Sequence, residues 1–324
     1  MSDSLRDSWR PSASIGALQR RAALLAESRA FFAERRVLEV ETPALSACAV
    51  SDPQIESLAC DVAGAGRFYL ATSPEYAMKR LLAAGSGDIY QICRVFRDAE
   101  RGRWHNPEFT MIEWYRRGFN DSALMAEVEE LVARLLAPRR HLARAQHLTY
   151  AHALERYAGV DIHGAGDPEL TAAAVRHGVA CDGKLDRDAK LDLLMGLVVG
   201  PQLGRESPCF VCDYPASQAA LARLKPGQPA VAARFELYID GLELANGFHE
   251  LADSAEQRAR FTKDLATRRA RGQAQAPVDE RLLAALDAGM PDCAGVALGF
   301  DRLVALDLRC AGLSGAMAFS IENA

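Results

Sequence analysis

Residues Val231-Ala232-Ala233-Arg234-Phe235-Glu236-Leu237-Tyr238-Ile239-Asp240-Gly241-Leu242-Glu243-Leu244-Ala245-Asn246-Gly247-Phe248-His249-Glu250-Leu251 decide the fold. Two β-prone runs flank Asp240-Gly241, a dipeptide suited to the type I′ turn, whose two central residues take positive φ. The stretch therefore reads as an antiparallel hairpin. With the turn at Asp240-Gly241, Ile239 faces Leu242 and Tyr238 faces Glu243, which makes Glu236 and Glu243 diagonal neighbours on one face. Beyond them Asn246, Phe248 and Glu250 are spaced by two and share a face as well. Strict alternation puts that second group opposite the first. A single site therefore requires a β-bulge, and Asn246-Gly247 is the expected place for it.

Working outward, Asp88 to Arg97 and Glu108 to Arg116 form a second β-prone pair joined by a charged loop. Upstream, Ile15, Leu18, Ala22, Leu25 and Phe32 recur at helical spacing across residues 14–36, and Val37-Leu38-Glu39-Val40-Glu41 reads as a strand that Thr42-Pro43 closes. Phe68 to Ala71 reads as a short strand, and Pro74 lies in the first turn of a helix through Leu82. Helical periodicity dominates over 121–200, where an inserted helical subdomain is expected. Sheet resumes at Cys209 to Asp213. Helices over 254–271 and 279–288, a strand near 296–299 and a last helix from Asp301 complete the chain. Antiparallel pairs separated by runs of helix, without a glycine-rich phosphate loop, predict an α+β fold: one domain over 1–324, an antiparallel sheet flanked by helices.

With 49% hydrophobic and 25% charged residues among 324, the composition is that of a soluble globular chain and argues against disordered, collagen-like and membrane classes. Asp and Glu number 43 against 38 Lys and Arg, a net charge of -5 that speaks against a nucleic acid held by the surface as a whole. The eight cysteines follow no disulfide framework, which points to reduced thiols and the cytoplasm. Residues 1–11 are polar, unlike a signal peptide or a membrane span, and read as a loosely held arm. Cys209 and Cys212 lack a second pair or a histidine cluster, so they read as a buried strand rather than half a zinc site.

Several residues have chemical reach. Arg97 ends a strand at the mouth of the charged loop, where a guanidinium reaches an anionic ligand while the sheet fixes its root; a surface ion pair is the alternative. Glu236 and Glu243, as close like charges, call for a cation between them. Hard carboxylate oxygens suit Mg²⁺, which takes one or two carboxylates and fills its shell with substrate phosphates, and a solvated strand face is the alternative. Asn246, Phe248 and Glu250, a carboxamide, an aromatic ring and a carboxylate, describe a pocket for an amine, or an ordinary strand with one buried phenylalanine. In Gly295-Val296-Ala297-Leu298-Gly299-Phe300-Asp301-Arg302, Gly299 lets a ligand approach the backbone, and Asp301 or the helix start orients Arg302. Arg258, Arg260, Lys263, Arg268, Arg269 and Arg271 form a basic helix, either a solvated face or a docking surface for a protein partner.

In order and across nearly the whole chain, these segments resemble the signature motifs of class II aminoacyl-tRNA synthetases. Residues 37–43 resemble motif 1, Phe96-Arg97 through Phe109 motif 2, and Gly299-Phe300-Asp301-Arg302 motif 3. Ser73-Pro74-Glu75, His105-Asn106-Pro107-Glu108-Phe109-Thr110-Met111 and Leu244-Ala245-Asn246-Gly247-Phe248-His249-Glu250-Leu251 indicate the lysyl branch. Thr72-Ser73-Pro74-Glu75-Tyr76 and His249, with motif 1 too near the start to leave room for an anticodon-binding domain, look like the truncated lysyl-tRNA synthetase paralogues that ligate (R)-β-lysine to a lysine of elongation factor P.

The resemblance implies a cytoplasmic homodimer built around motif 1. It implies a ligase that uses ATP and Mg²⁺ to form a β-lysyl adenylate and passes the acyl group to elongation factor P, with no tRNA and no membrane as partner. Arg97 and Arg302 would act in catalysis, and Ser73, Pro74, Glu75, Tyr115, Asn246, Phe248 and Glu250 would hold the β-lysine. Arg97, Asp98, Ala99, Asn106, Phe109, Glu243, Leu244, Gly299 and Arg302 would hold ATP, with Phe109 and Arg302 sandwiching adenine, while Glu236 and Glu243 would hold Mg²⁺. One position departs from the pattern. The glutamate two residues after the motif 2 arginine is Ala99 here, so Asp98 or Glu100 would have to bring a carboxylate from a shifted loop. A free-standing amide or peptide synthetase and a non-catalytic amino-acid-binding regulator are the competing readings.

Overall fold

The computed structural model describes residues 9–324. In chain order the elements are α1 (Ile15–Glu34), β1 (Leu38–Glu39), β2 (Leu45–Ser46), β3 (Ala59–Val62), β4 (Gly66–Leu70), α2 (Glu75–Ala83), β5 (Ile89–Phe96), β6 (Glu108–Arg117), α3 (Asp121–Leu136) and β7 (Gln146–Thr149). There follow α4 (Tyr150–Ala158), α5 (Asp167–Arg176), α6 (Arg187–Leu194), β8 (Cys209–Pro215), β9 (Leu224–Lys225), β10 (Val231–Ile239), β11 (Leu242–His249), α7 (Ser254–Ala270), α8 (Glu280–Gly289), β12 (Cys293–Gly299) and α9 (Phe300–Leu308). The main sheet runs β1-β5-β6-β12-β11-β10-β8-β7, with β9 beside β10, and β2, β4 and β3 form a smaller one. From β5 to β8 every pairing along the main sheet is antiparallel, and β1 and β7 join parallel at its edges. This is the expected α+β architecture.

α1 starts where Ser14 Oγ accepts the Ala17 N–H at 3.2 Å, satisfying one of the helix's free donors. The side it buries holds Leu24, Ser28, Phe31 and Phe32, while Ile15, expected on the apolar face, is exposed. Ion pairs turn the helix: Arg20 meets Asp307 at 2.7 Å and Arg21 meets Asp301 at 2.5 Å, both on α9. Phe32 then stacks on Tyr90 with centroids 4.3 Å apart and meets Trp114 edge-on at 5.4 Å, fixing α1 to β5 and β6. The strand expected over 37–41 contracts to Leu38–Glu39, parallel to the start of β5.

Residues 121–200 depart from a purely helical insertion. α3 sends Leu124, Val128, Leu131 and Leu135 into the central core, whereas α4 to α6 share a separate apolar cluster with β8. Residues 146–149 add the edge strand β7, which is four residues long and mostly exposed, so no apolar run announced it. The first eight residues of the expected arm lie outside the described residues; by Ser12, whose N–H donates to Ala318 O at 2.7 Å, the chain is tied down. All eight cysteines are free thiols. No helix among the described residues is long and apolar enough to cross a membrane.

The basic helix is α7, and the fold itself takes up much of its charge. Arg268 is buried and binds Asp52 O, Ile55 O and Glu56, while Arg258 pairs with Glu280, Arg260 with Glu256 and Arg271 with Asp186. That removes Arg268 from any docking surface.

Asp301 is 2% exposed; Oδ1 meets Arg21 and Oδ2 accepts the Thr110 N–H at 2.6 Å. Removing the cation strands a buried charge. Arg21→Met is expected to destabilise the protein by about 3 kcal/mol, read as a lower urea midpoint at unchanged m-value. Asp301→Asn, which keeps an acceptor for Thr110, should lose less.

Candidate active site

Asp240 and Gly241 take φ of 55° and 78°, closing the type I′ turn, with Ile239 opposite Leu242 and Tyr238 opposite Glu243. The bulge is present, but at Leu244 rather than at Asn246-Gly247: Tyr238 faces Glu243, and Leu237 already faces Ala245. Leu244 and Ala245 are both buried in the central core, so the alternation slips by one and Glu236 comes to lie opposite Asn246. Glu236, Glu243, Asn246, Phe248 and Glu250 thereby share one face. Gly247 stays in the regular ladder opposite Phe235, whose ring fills the space a Cβ would take.

That face opens into a cleft of about 610 Å³ lined by Ser73, Pro74, Glu75, Arg97, Glu113, Tyr115, Arg234, Asn246, Phe248 and Glu250 among others. Gly295 keeps it open, since a Cβ there would overlap Tyr115 and Glu250. Lys79, 1% exposed, places Nζ 2.7 Å from Glu75 Oε1 and 2.6 Å from Glu250 Oε2. Burial alone would drive off its proton, but Glu250 and Glu75 outweigh burial and hold its pKa above the ordinary lysine value. Tyr115 donates its hydroxyl to Glu113 Oε1 at 2.7 Å. Burial, then the Glu75 charge, pushes Glu113 up to about 8, and burial raises Glu250 to about 7 against the pull of Lys79. Glu250 Oε1 and Asn246 Oδ1 are buried without a hydrogen-bond partner. Three carboxylates facing one lysine leave the cleft short of donors and of positive charge.

Arg97 stands just past β5, half-buried, with Nε donating to Thr72 O at 3.3 Å and its guanidinium 5.2 Å from the Phe109 ring centre. Ala99 takes φ 61°, in the left-handed region, and Asp98 accepts the Ala99 N–H; of the two candidate carboxylates it is Glu100 that reaches Arg97, at 3.4 Å. Asp301, engaged by Arg21 and Thr110, does not orient Arg302. Instead Arg302 donates to Glu243 O at 2.8 Å and Trp104 O at 3.3 Å and meets His105 Nε2 at 2.9 Å. Asn106 commits both ends of its carboxamide to the protein, donating to Glu108 O at 2.6 Å and accepting the Ile321 N–H at 2.9 Å. The Leu244 side chain is in the core, which leaves its backbone for any ligand, and Gly299 sits at the cap of α9.

Glu236 and Glu243 do not need a metal to coexist. Arg234 holds Glu236 Oε1 at 2.5 Å, Tyr238 donates to Oε2 at 2.6 Å, and Arg302 stands 3.6 Å from Glu243 Oε2. Two arginines thus relieve the repulsion that the sequence alone assigned to a cation. The donor set nevertheless fits Mg²⁺: two hard carboxylates share a face, and Glu243 is held above the usual carboxylate range by burial and by Glu236, so added positive charge there is favourable.

Lys79, Glu113 and Arg234 escaped the sequence reading. Each was within reach of it: Lys79 is four residues after Glu75 on one helix face, Glu113 two before Tyr115 and Arg234 two before Glu236 on strand faces already under scrutiny.

A family model for class II tRNA synthetases (D, K and N) matches residues 6–322. A relative from Erwinia tasmaniensis named elongation factor P (R)-β-lysine ligase is 49% identical over 323 residues, covering 98% of each chain. Relatives of the same name from Salmonella arizonae and Salmonella dublin are 47% identical over 323 residues, again 98% of each chain. The chain belongs to the class II tRNA synthetase family that groups the D, K and N enzymes.

Proposed function

We propose that the chain activates (R)-β-lysine with ATP and transfers the β-lysyl group to a lysine ε-amine of elongation factor P, the reaction its relatives are named for. The observation that carries the substrate is the pair of buried acceptors without partners, Glu250 Oε1 and Asn246 Oδ1, in a cleft where Glu75, Glu113 and Glu250 face one lysine. An ammonium placed there recovers its lost hydration through charge-assisted hydrogen bonds of roughly 1.5–3 kcal/mol each. Ser73, Pro74, Tyr115 and Phe248 complete the walls around the carbon chain.

Arg97 neutralises charge on the α-phosphate as a substrate carboxylate oxygen bonds to phosphorus and pyrophosphate leaves. The acceptor amine then bonds to the acyl carbon, loses a proton and displaces AMP. No covalent bond to the protein forms. Phe109 and Arg302 bracket adenine, and Glu236 and Glu243 hold Mg²⁺, which when bound neutralises phosphate oxygens. The net charge of -5 supports a protein acceptor over tRNA, and the exposed Leu38 in the motif 1 stretch, with the exposed Leu45 just after it, supports a homodimer joined there, in the cytoplasm where the free cysteines would stay reduced. Residues 1–324 would act as one catalytic domain.

Mass spectrometry of elongation factor P after incubation with ATP and either lysine isomer tests this reading: a gain of one β-lysyl group is expected, and an unmodified acceptor counts against it. Arg97→Ala should cut amino-acid-dependent pyrophosphate exchange by about 100-fold or more at unchanged Tm. Glu243→Gln should raise the Mg²⁺ concentration for half-maximal exchange by roughly tenfold, and an unchanged requirement would make the diacid structural.

The pH dependence follows from Glu250 and Glu113, and its upper part from Glu113. Near pH 7 its carboxyl holds a proton, because burial and Glu75 raise it to about 8. An arriving ammonium favours the carboxylate, so binding expels that proton and tightens as pH rises, levelling off above about 8. Glu113→Gln should remove the part of the KM profile for β-lysine nearest pH 8 and leave the part near pH 7 that Glu250 contributes.

A further inference from the structure

Of the 38 Lys and Arg residues only five are lysines, in a chain whose proposed product is an acyl donor for lysine amines. Where those five lie matters more than the ratio. Lys79 and Lys190 are each 1% exposed, Lys79 between Glu75 and Glu250 and Lys190 3.2 Å from Asp167. Lys225 is held between Asp121 at 2.5 Å and Asp213 at 2.8 Å. Lys184 and Lys263 are exposed, but neither lines the cleft, although Phe261 and Asp264 beside Lys263 on α7 do. The cations that line it are Arg80, Arg97, Arg234 and Arg281.

Two of these four use the fork of a guanidinium: Arg97 spans Thr72 O and Glu100, and Arg234 spans Gln218 O and Glu236. Arg80, in the last turn of α2, and Arg281, in the first turn of α8, do not. Both are exposed, and among the described residues neither side chain makes a hydrogen bond or an ion pair, so a lysine would supply the same charge there. What a lysine would add is a nucleophile. A guanidinium keeps its proton, with a pKa above about 12, whereas an ammonium loses it near about 10.4 and then offers a free electron pair. In the reaction proposed above, such an amine would bond to the acyl carbon, lose a proton and displace AMP, leaving the β-lysyl group on the enzyme as an amide. That amine and the acceptor's lysine bear the same protonation cost, so concentration decides between them. An amine tethered at the cleft counts as about 1 mM and outruns an acceptor protein at about 10 μM by roughly 100-fold. We propose that Arg80 and Arg281 are specificity-determining residues: as arginines they give the cleft charge without a nucleophile and so reserve the acyl adenylate for an amine brought from outside. The inference rests on the substrate reading given above and extends it from the amino acid to the direction of transfer. Lys79, which touches the amino-acid pocket, obeys the same rule: burial works against its proton, but Glu250 and Glu75 hold it, and its electron pair is not free.

The test is to incubate the full chain with ATP, Mg²⁺ and (R)-β-lysine, without acceptor, and to map β-lysyl groups by mass spectrometry of its peptides. The natural protein should carry none on Lys79, and on Lys184 and Lys263 only what slow attack on released adenylate produces. Arg80→Lys and Arg281→Lys keep the charge, so amino-acid-dependent pyrophosphate exchange should match the natural protein. At least one of the two new lysines should be acylated about tenfold faster than Lys263 of the same chain, or more, and elongation factor P at about 10 μM should then receive less β-lysyl group per AMP released. New lysines acylated no faster than Lys263, in variants that still modify elongation factor P, overturn this inference alone. So does a β-lysyl group on Lys79 of the natural protein, or a loss of pyrophosphate exchange in both variants, which would make the guanidinium a requirement of activation. A natural protein that exchanges no pyrophosphate with β-lysine and leaves elongation factor P unmodified overturns the substrate reading and this inference with it.

Discussion

Strand β11 carries one residue more than β10 can match, and the polar side chains of the hairpin are aimed by where that residue sits. In a regular ladder Glu243 and Asn246 would point to opposite sides of the sheet, and carboxylates suited to a metal would be separated from the pocket suited to an amine. With Leu244 as the extra residue, both sets lie on the one face of the sheet that opens into the cleft. The geometry is secured from the other side, where Leu244 and Ala245 join Leu237, Leu242 and Leu298 in the central core. Apolar packing, rather than any polar contact in the cleft, thus decides where the functional groups point.

The cleft gathers charges that water would otherwise hydrate, and each is met by a neighbour from a different element. Lys79 on α2 answers Glu75 and Glu250, Arg234 on β10 answers Glu236, and Arg302 on α9 approaches Glu243. Breaking one such pair is costly because it leaves the partner buried and alone. The low dielectric that makes Glu250 Oε1 expensive without a donor would make an amine effective there. A shortage of donors around buried carboxylates is in itself a preference for a cation.

What the sequence made legible was local. Asp240-Gly241 encodes its turn by the backbone it requires, and spacing by two put Asn246, Phe248 and Glu250 on one face. The need for a bulge followed from parity, yet its position did not, because that depends on whether Leu244 or Gly247 can leave the ladder, a matter of what packs against each. Lys79 and Arg234 look like solvated charges in sequence; burial by distant segments makes them parts of the site. The same blindness ran the other way in α7, whose arginines suggested an open surface. Asp301, beside Arg302 in the chain, serves α1 instead, since the start of α9 turns it away.

The position of α7 explains more than the loss of a surface. Arg268 binds Glu56 at 2.7 Å, Gln273 donates to the same carboxylate, and Glu56 O accepts the Asp98 N–H at 2.9 Å, so the start of the loop after Arg97 is held from that side. The far side is held by the C-terminal stretch: Arg101 makes two bonds to Glu322 at 2.7 and 2.8 Å, Ile321 donates to Asn106, and Leu313 donates to Arg103 O. A loop clasped at both ends holds the backbone that follows Arg97, and in the proposed reaction a donor already in place would need little reorganisation as charge develops. The sheet roots Arg97, but two segments more than 150 residues downstream hold the loop that follows it. The charge of α7 therefore reaches the loop after Arg97 at one remove, through the Glu56 backbone that it holds.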